Sequence, residues 1–275
     1  MTNSKPSCCV TASIVLYKND ALQVRAAIRS FLSSPLDVKI TVVDNSPDSL
    51  LRSVVGEEGA DYIFAGKNIG FGPAHNIAIR NCMGQSDYHL ILNPDVTFGP
   101  ETLPMLHQFM EANSTVGLVM PRILYPDLRE QRLCKLLPTP LDLILRRFLG
   151  KLGHRFANRR MARYLLEDVD LTNPRFVPSL SGCFMFVRRE ALQSVGLFDE
   201  RFFLYLEDVD LCRRIAEQWE TVFYPGATII HEYANSSYRN LRHLRLHLIS
   251  AWKYFNKWGW LRDPLRDALN ARMHD

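Results

Sequence analysis

The sequence predicts an α/β domain organised on a doubly wound, mostly parallel central sheet, and three observations predict it. Over residues 1–120, short runs of β-forming residues alternate with stretches of helical period. Those runs end in polar or glycine-rich turns, the arrangement at which open α/β sheets bind ligands. The chain's 275 residues, 47% of them hydrophobic, are also enough to bury one large core.

Each element follows from local pattern. Residues 10–17 are rich in β-formers, and Asp20 stands ready to cap a helix over 21–33 whose apolar stripe is Val24, Ala27, Ile28 and Phe31. A buried strand over 38–43 ends in Asp44-Asn45-Ser46-Pro47; a short helix at 48–55 and a strand at 62–65 follow. The turn from Gly66 to Ala74 then leads into a helix through Ala78, Ile79 and Cys82. Residues 88–92 form a fourth strand, which Pro94 stops, and 100–112 form a helix.

From residue 116 the pattern changes. Two short strands at 116–120 and 123–125 precede a basic, proline-punctuated excursion over 126–174 with one amphipathic helix at 141–152. Insertions of that length inside a compact domain are usually functional or mobile. A strand at 183–188 and a helix at 189–195 follow. Glu207 and Asp208 then open a helix on which Val209, Cys212, Ala216 and Trp219 recur. Short strands at 221–224 and 228–230 finish at His231, and a long basic helix covers 240–257.

Composition narrows the partners. A formal charge of +4 is too small to imply nucleic acid, although basic residues gather, among aromatic and aliphatic ones, at 135–163 and 239–272. The six cysteines form no Cys-x-x-Cys pair and no zinc spacing, which suits reduced thiols in the cytoplasm. No apolar run reaches the roughly 18 residues of a membrane span, and the polar start leads directly into a strand, so neither secretion nor an integral anchor is expected.

The candidate site residues sit at strand ends and a helix start, each with a plainer reading beside it. Asp95, just past a strand's carboxyl end, is placed to hold a hard divalent cation against a phosphate; Asn93-Pro94-Asp95 is equally an ordinary turn. The glycines at 66, 70 and 72, between Asn68 and Asn76, allow close backbone approach to a diphosphate or its sugar, or simply a glycine-rich connection. Asp44 offers acceptors to a nucleobase or ribose, or caps its turn. At a helix amino terminus the dipole favours an ionised carboxylate, the form a general base needs; Glu207 and Asp208 serve as base and neighbour, or merely as cap and first turn. Asp210, with Arg213 and Arg214 at i+3 and i+4, reads as a helix-surface ion pair. His231 is structural unless the fold returns it to Asp95 as a second metal ligand.

Taken together, Val-Val-Asp44-Asn-Ser, Lys-Asn68-Ile-Gly-Phe-Gly, Leu-Asn93-Pro-Asp95, Ser-Gly182-Cys, Gly-Leu-Phe-Asp199-Glu, Tyr-Leu-Glu207-Asp208-Val-Asp-Leu-Cys-Arg-Arg and Ile-Ile-His231-Glu resemble the large inverting glycosyltransferase family 2 with the GT-A fold. More narrowly they resemble bacterial rhamnosyltransferases of O-antigen and related cell-surface polysaccharide. The resemblance covers residues 10–250 and implies a Rossmann-like domain over 1–275. That domain has a nucleotide-sugar-binding half (1–120), an acceptor and catalytic half (121–238) with a basic helical insertion (126–175), and basic amphipathic C-terminal helices (239–275). It implies a divalent metal, Mg²⁺ or Mn²⁺, on Asp95 and His231, with Asn93 replacing the first aspartate of the family's Asp-x-Asp motif. Asp208 would be the base, with Glu207 the alternative. Donor contacts would come from Tyr17, Asp44, Asn45, Asn68, Gly70, Phe71, Asn76, Asn93, Gly182 and Cys183.

The activity so implied moves L-rhamnose, from dTDP-β-L-rhamnose, to a hydroxyl of a lipid-linked saccharide at the inner face of the cytoplasmic membrane. Another nucleotide sugar, of the UDP-hexose type, is the alternative donor. A sugar-1-phosphate nucleotidyltransferase would need a Gly- and Arg-rich loop where this chain has Leu16-Tyr17-Lys18-Asn19-Asp20. A non-catalytic membrane-surface module would not be expected to keep Asp95, Asp208 and His231 together.

Overall fold

The computed structural model describes residues 9–146, 155–232 and 241–274. Its first half is β1 (Val10–Leu16), α1 (Ala21–Leu32), β2 (Val38–Asp44), α2 (Arg52–Glu57), β3 (Asp61–Phe64), α3 (Phe71–Cys82), β4 (Tyr88–Leu92), β5 (Val96–Phe98) and α4 (Thr102–Ala112). β1 lies between β2 and β4 in parallel, and β3 joins β2 in parallel, so the carboxyl ends of β1 to β4 share one rim. Asp20 caps α1 by accepting from the Leu22 and Gln23 amides, and the buried residues of that helix are the expected Val24, Ala27, Ile28 and Phe31.

Successive strand residues face opposite sides of a sheet, so Ile14 and Leu16 meet α1 in the main core. Ser13 and Val15 turn to the other side, where His75 of α3 bonds the Ser13 hydroxyl at 2.7 Å. Burial holds both His75 and its neighbour His89 in the neutral form well below the ordinary histidine range.

The second half comprises β6 (Val116–Leu124), α5 (Pro140–Ile144), α6 (Arg155–Tyr164), β7 (Arg175–Phe176), β8 (Phe184–Arg188), α7 (Arg189–Val195), α8 (Glu207–Ala216), β9 (Glu220–His231), α9 (Leu241–Trp258) and α10 (Pro264–Ala271). The sheet order is β3-β2-β1-β4-β8-β6-β9-β5, with β7 also on β9. It is parallel across its first four strands and mixed beyond, because β8 runs antiparallel to both β4 and β6. The expected pairs of short strands at 116–125 and 221–230 are single strands, β6 and β9. Their register shifts where β9 carries extra residues, between Tyr224 and Thr228 opposite Pro121 and Arg122.

The excursion after β6 is core rather than appendage: Cys134, Leu136, Tyr164, Leu166 and Leu171 belong to the main hydrophobic cluster. Of the helix expected at 141–152, α5 covers the start, with a Thr139–Asp142 capping box; residues 147–154 lie outside the described set. Asp210 is fully buried rather than on a surface. Arg214, Lys257 and the Trp258 indole N–H hold it, while Arg213 turns away to a bidentate pair with buried Asp263. Arg213 also stacks 4.1 Å from the Trp258 ring, so α8, α9 and the start of α10 are locked together.

Candidate active site

The rim formed by β1, β2 and β4 gathers the predicted donor-side residues. Tyr17, just past β1, is 40% exposed, and the Lys18 ammonium lies over its ring. At the end of β2, Asp44 is fully enclosed: Oδ1 accepts from the Ser46 amide and Oδ2 from the Tyr62 hydroxyl at 2.8 Å. Burial and that carboxylate push the Tyr62 phenol up. Contact between Asp44 and a nucleobase therefore requires Tyr62 or the 45–48 turn to move aside. Asn45 donates to the Gly70 carbonyl, and its buried amide oxygen has no hydrogen-bond partner.

The glycine turn is fixed by backbone fit. Asn68 accepts from the Gly70 amide, and Gly70 has φ +101°, with a Cβ there falling 2.6 Å from the Phe203 carbonyl oxygen. Only glycine suits that position. The next amide, of Phe71, donates to the same carbonyl at 3.0 Å. Asn76 corrects the sequence reading. It is fully buried, its amide nitrogen donating to the Phe198 carbonyl and to Glu200 while its oxygen accepts from the Phe198 amide, so it brackets the Leu197–Glu200 segment and has no group left for a donor sugar.

Antiparallel pairing carries the second half onto this rim. Leu92 faces Phe184, so the Asn93 amide donates to the Cys183 carbonyl at 2.9 Å, and Gly182 arrives beside the β4 turn. The Gly182 amide in turn donates to Asp208 Oδ2 at 3.0 Å, while Oδ1 accepts from the Val209 amide at 2.9 Å. A Cβ on Gly182 would stand 3.1 Å from that of Asp208. Cys183 lies beneath the rim, its thiol pushed up to about 12 by burial and by the Asp95 and Asp208 carboxylates, both within electrostatic reach.

Two consecutive left-handed residues, Tyr205 (φ 74°) and Leu206 (φ 65°), turn the chain into α8. Such backbone is costly for bulky side chains and persists where surrounding contacts hold it. Its result is that Glu207 is buried while Asp208, the next residue, is partly exposed. Burial and the Asp208 charge raise the Glu207 carboxyl to about 8, and its Oε2 has no partner. Burial and the neighbouring charge favour the protonated form of Glu207, the form that does not serve as a general base.

His231 does return to Asp95. The antiparallel match of Val96 with His231 brings Nε2 within 3.5 Å of Asp95 Oδ1, a buried oxygen without a hydrogen bond. Gln131, which no sequence pattern singled out, fixes the imidazole from behind. Its amide nitrogen faces the His231 and Leu124 carbonyls, so its oxygen must accept from His231 Nδ1, at 3.0 Å. In the neutral ring a proton on Nδ1 leaves the Nε2 lone pair facing Asp95. Among the described residues no group of three or more His, Cys, Asp or Glu forms a closed metal cage. An orphaned carboxylate oxygen facing an imidazole fits a hard cation that takes its remaining ligands from substrate phosphates and water.

Lys135 likewise carries no sequence signal for a site. Its backbone bridges Ser179, and its half-buried ammonium is brought down to about 8 by burial and by Arg146, while Asp208 acts on it in the opposite sense.

Residues 6–247 match the family model "Glycosyltransferase like family 2". The chain is 32% identical over 258 residues to the N-acetylglucosaminyl-diphospho-decaprenol L-rhamnosyltransferase of Mycobacterium tuberculosis, covering 88% of this chain and 83% of that one. It is 27% identical over 248 residues to the rhamnosyltransferase WbbL of Escherichia coli, covering 86% and 89%. Its fold is similar to that of the mannosyltransferase PcManGT from Pyrobaculum calidifontis, solved with GDP-Man and Mn²⁺. That likeness has a TM-score of 0.58 at 16% identity over 97% of this chain and 74% of the other.

Proposed function

The chain belongs to the glycosyltransferase-like family 2, and from that premise we propose that it transfers L-rhamnose, with inversion, from dTDP-β-L-rhamnose to a hydroxyl of a saccharide carried on a lipid diphosphate. The observation that carries the reading is the placement of Asp208. Two backbone amides, those of Gly182 and Val209, hold its carboxylate beside the rim where Asp95 meets His231. The names of the mycobacterial and E. coli relatives support rhamnose as the sugar; the first also supports a diphosphate-linked lipid acceptor.

In the proposed step Asp208 takes the acceptor's hydroxyl proton as that oxygen attacks the anomeric carbon, whose bond to the nucleoside diphosphate oxygen breaks on the opposite face. Asp95 and His231 would hold a divalent cation, which supplies charge neutralisation to the departing diphosphate. The Asn45 amide oxygen, buried without a hydrogen-bond partner, is the group this reading gives to the nucleotide. Protonated Glu207 keeps a second negative charge away from the base.

A lipid-borne acceptor calls for docking at a membrane surface, since among the described residues no helix is long and apolar enough to cross one. The aromatic side of α9 divides. Tyr254 and Phe255 pack inward, whereas Leu241, Leu248, Ile249 and Trp252 on α9, with Trp260 and Leu261 beyond it, are exposed beside Arg245, Lys253 and Arg262. Interfacial tryptophans and basic residues are the composition of a reversible membrane contact.

The test is a panel of nucleotide sugars with Mn²⁺, read by thermal shift and by NMR of the product. Preferential stabilisation by dTDP-rhamnose and an α-linked rhamnoside support the reading; transfer from a UDP-hexose alone, or a β-linked rhamnoside, overturns it.

A further inference from the structure

The two basic segments of the sequence meet in space, and their meeting place is not part of the donor site. A cavity of about 790 Å³ opens between α6 and α10, lined by Arg159, Arg160, Arg163 and Arg266 above a floor that includes Leu136 and Tyr164. That volume is in the range of small-molecule sites. Its walls are tied together rather than loosely apposed: the Leu137 amide donates to the Asn270 side chain at 2.8 Å, and the Asn270 amide donates back to the Leu137 carbonyl at 3.0 Å.

Charge accounting singles out two of the arginines. Arg160 is committed to Asp142 at 2.7 Å and Arg266 to Asp267 at 2.9 Å. Arg159 and Arg163, one turn apart on α6 and both exposed, have no guanidinium hydrogen bond or ion pair among the described residues. Only Asp168 remains on the lining to oppose them. The cavity's Tyr164 and Leu136 lie within electrostatic reach of Asp208 or next in sequence to a residue that is. Both Asp208 and Arg146 act electrostatically on the buried Tyr164 hydroxyl, and both act on Lys135, the residue next to Leu136.

We propose that this cavity binds the diphosphate of the lipid-linked acceptor, with Arg159 and Arg163 as its principal ligands, so that the first sugar lies between the cavity and Asp208. Guanidinium forks match phosphate oxygens in pairs, and two of them one helical turn apart suit a diphosphate better than a single phosphate. The inference rests on the acceptor class proposed above.

The experiment compares wild type with the Arg159→Ala/Arg163→Ala double variant, whose exposed, unpaired side chains are not needed for folding. Two acceptors are used at saturating donor: N-acetylglucosaminyl diphosphate on a ten-carbon prenyl chain, and the same sugar and chain joined without phosphate. The expected result is a KM for the diphosphate acceptor raised about tenfold or more, with kcat within about threefold and the KM for the phosphate-free acceptor within about twofold. An equal rise for both acceptors, or none for the first, overturns the subsite.

A second arm keeps the inference separable from the reaction. Ten-carbon prenyl diphosphate, without sugar or donor, is titrated against both proteins by tryptophan fluorescence. Weaker binding by the variant supports the subsite even if neither acceptor turns over, and equal binding overturns it. If the variant instead loses only its attachment to phosphatidylglycerol vesicles, the arginines face lipid headgroups and the assignment fails.

Discussion

The Gly182 amide donates to Asp208 Oδ2 at 3.0 Å, and the absence of a side chain on Gly182 is what lets the carboxylate come so close. One hydrogen bond thus joins the β8 entrance to the α8 start and sets the position of the proposed base.

Replacing Asp208 by Asn should lower kcat by about a hundredfold or more with donor affinity nearly unchanged, the expectation for loss of a general base. Gly182→Ala, which crowds the same carboxylate, should cost about tenfold in kcat through misplacement. Steady-state kinetics with a donor titration decide it; a Gly182→Ala enzyme with wild-type kcat would remove the positioning argument.

Turnover should stop in excess EDTA and in Asp95→Ala. Gln131→Leu should fold yet require about tenfold more Mn²⁺ for half-maximal thermal stabilisation, because the leucine no longer fixes the Nδ1 proton of His231. An unchanged Mn²⁺ midpoint would show that the imidazole is oriented by something other than Gln131.

Glu207 gives stability a pH dependence of known sign. Between the ordinary glutamate value of 4.5 and its raised value of about 8, the folded chain keeps a proton that the unfolded chain has released, so this group lowers stability as pH rises through that window. Glu207→Gln has no such proton to lose, and its stability relative to wild type should grow from pH 5 to pH 8. The slope is on the order of 1 kcal/mol per pH unit. Denaturation midpoints of the two proteins that keep a constant separation across that range would contradict the assignment.

Asp263→Ala leaves Arg213 buried without its bidentate partner and should destabilise the protein by about 3–5 kcal/mol in urea titrations. A loss under about 1 kcal/mol would mean that the Trp258 ring alone suffices to hold the guanidinium.

Membrane attachment should appear as co-sedimentation with anionic vesicles at low salt and release as salt rises. Trp252→Ser with Leu248→Ser should weaken it, since both side chains are exposed on α9. Equal recovery with neutral and anionic vesicles would leave the basic residues of α9 without that role.

Local chemistry in the sequence determined the parallel half of the sheet, the buried stripe of α1, the Gly70 turn, and the placing of Asp95 after a strand and Asp208 at a helix start. Each depends on periodicity, capping or turn preference within a few residues. Tertiary structure alone decided what those residues meet. β5 pairing with β9 brought His231 to Asp95; the packing of α3 against the Phe198 segment turned Asn76 inward; and the excursion after β6 delivered Gln131 and Lys135. Glu207 and Asp208 are neighbours of nearly identical chemistry in the sequence. The left-handed turn at Tyr205 and Leu206 leads into a helix start that buries Glu207 and leaves Asp208 partly exposed, and the desolvation that favours the proton on Glu207 is a property of the folded surroundings rather than of the residue.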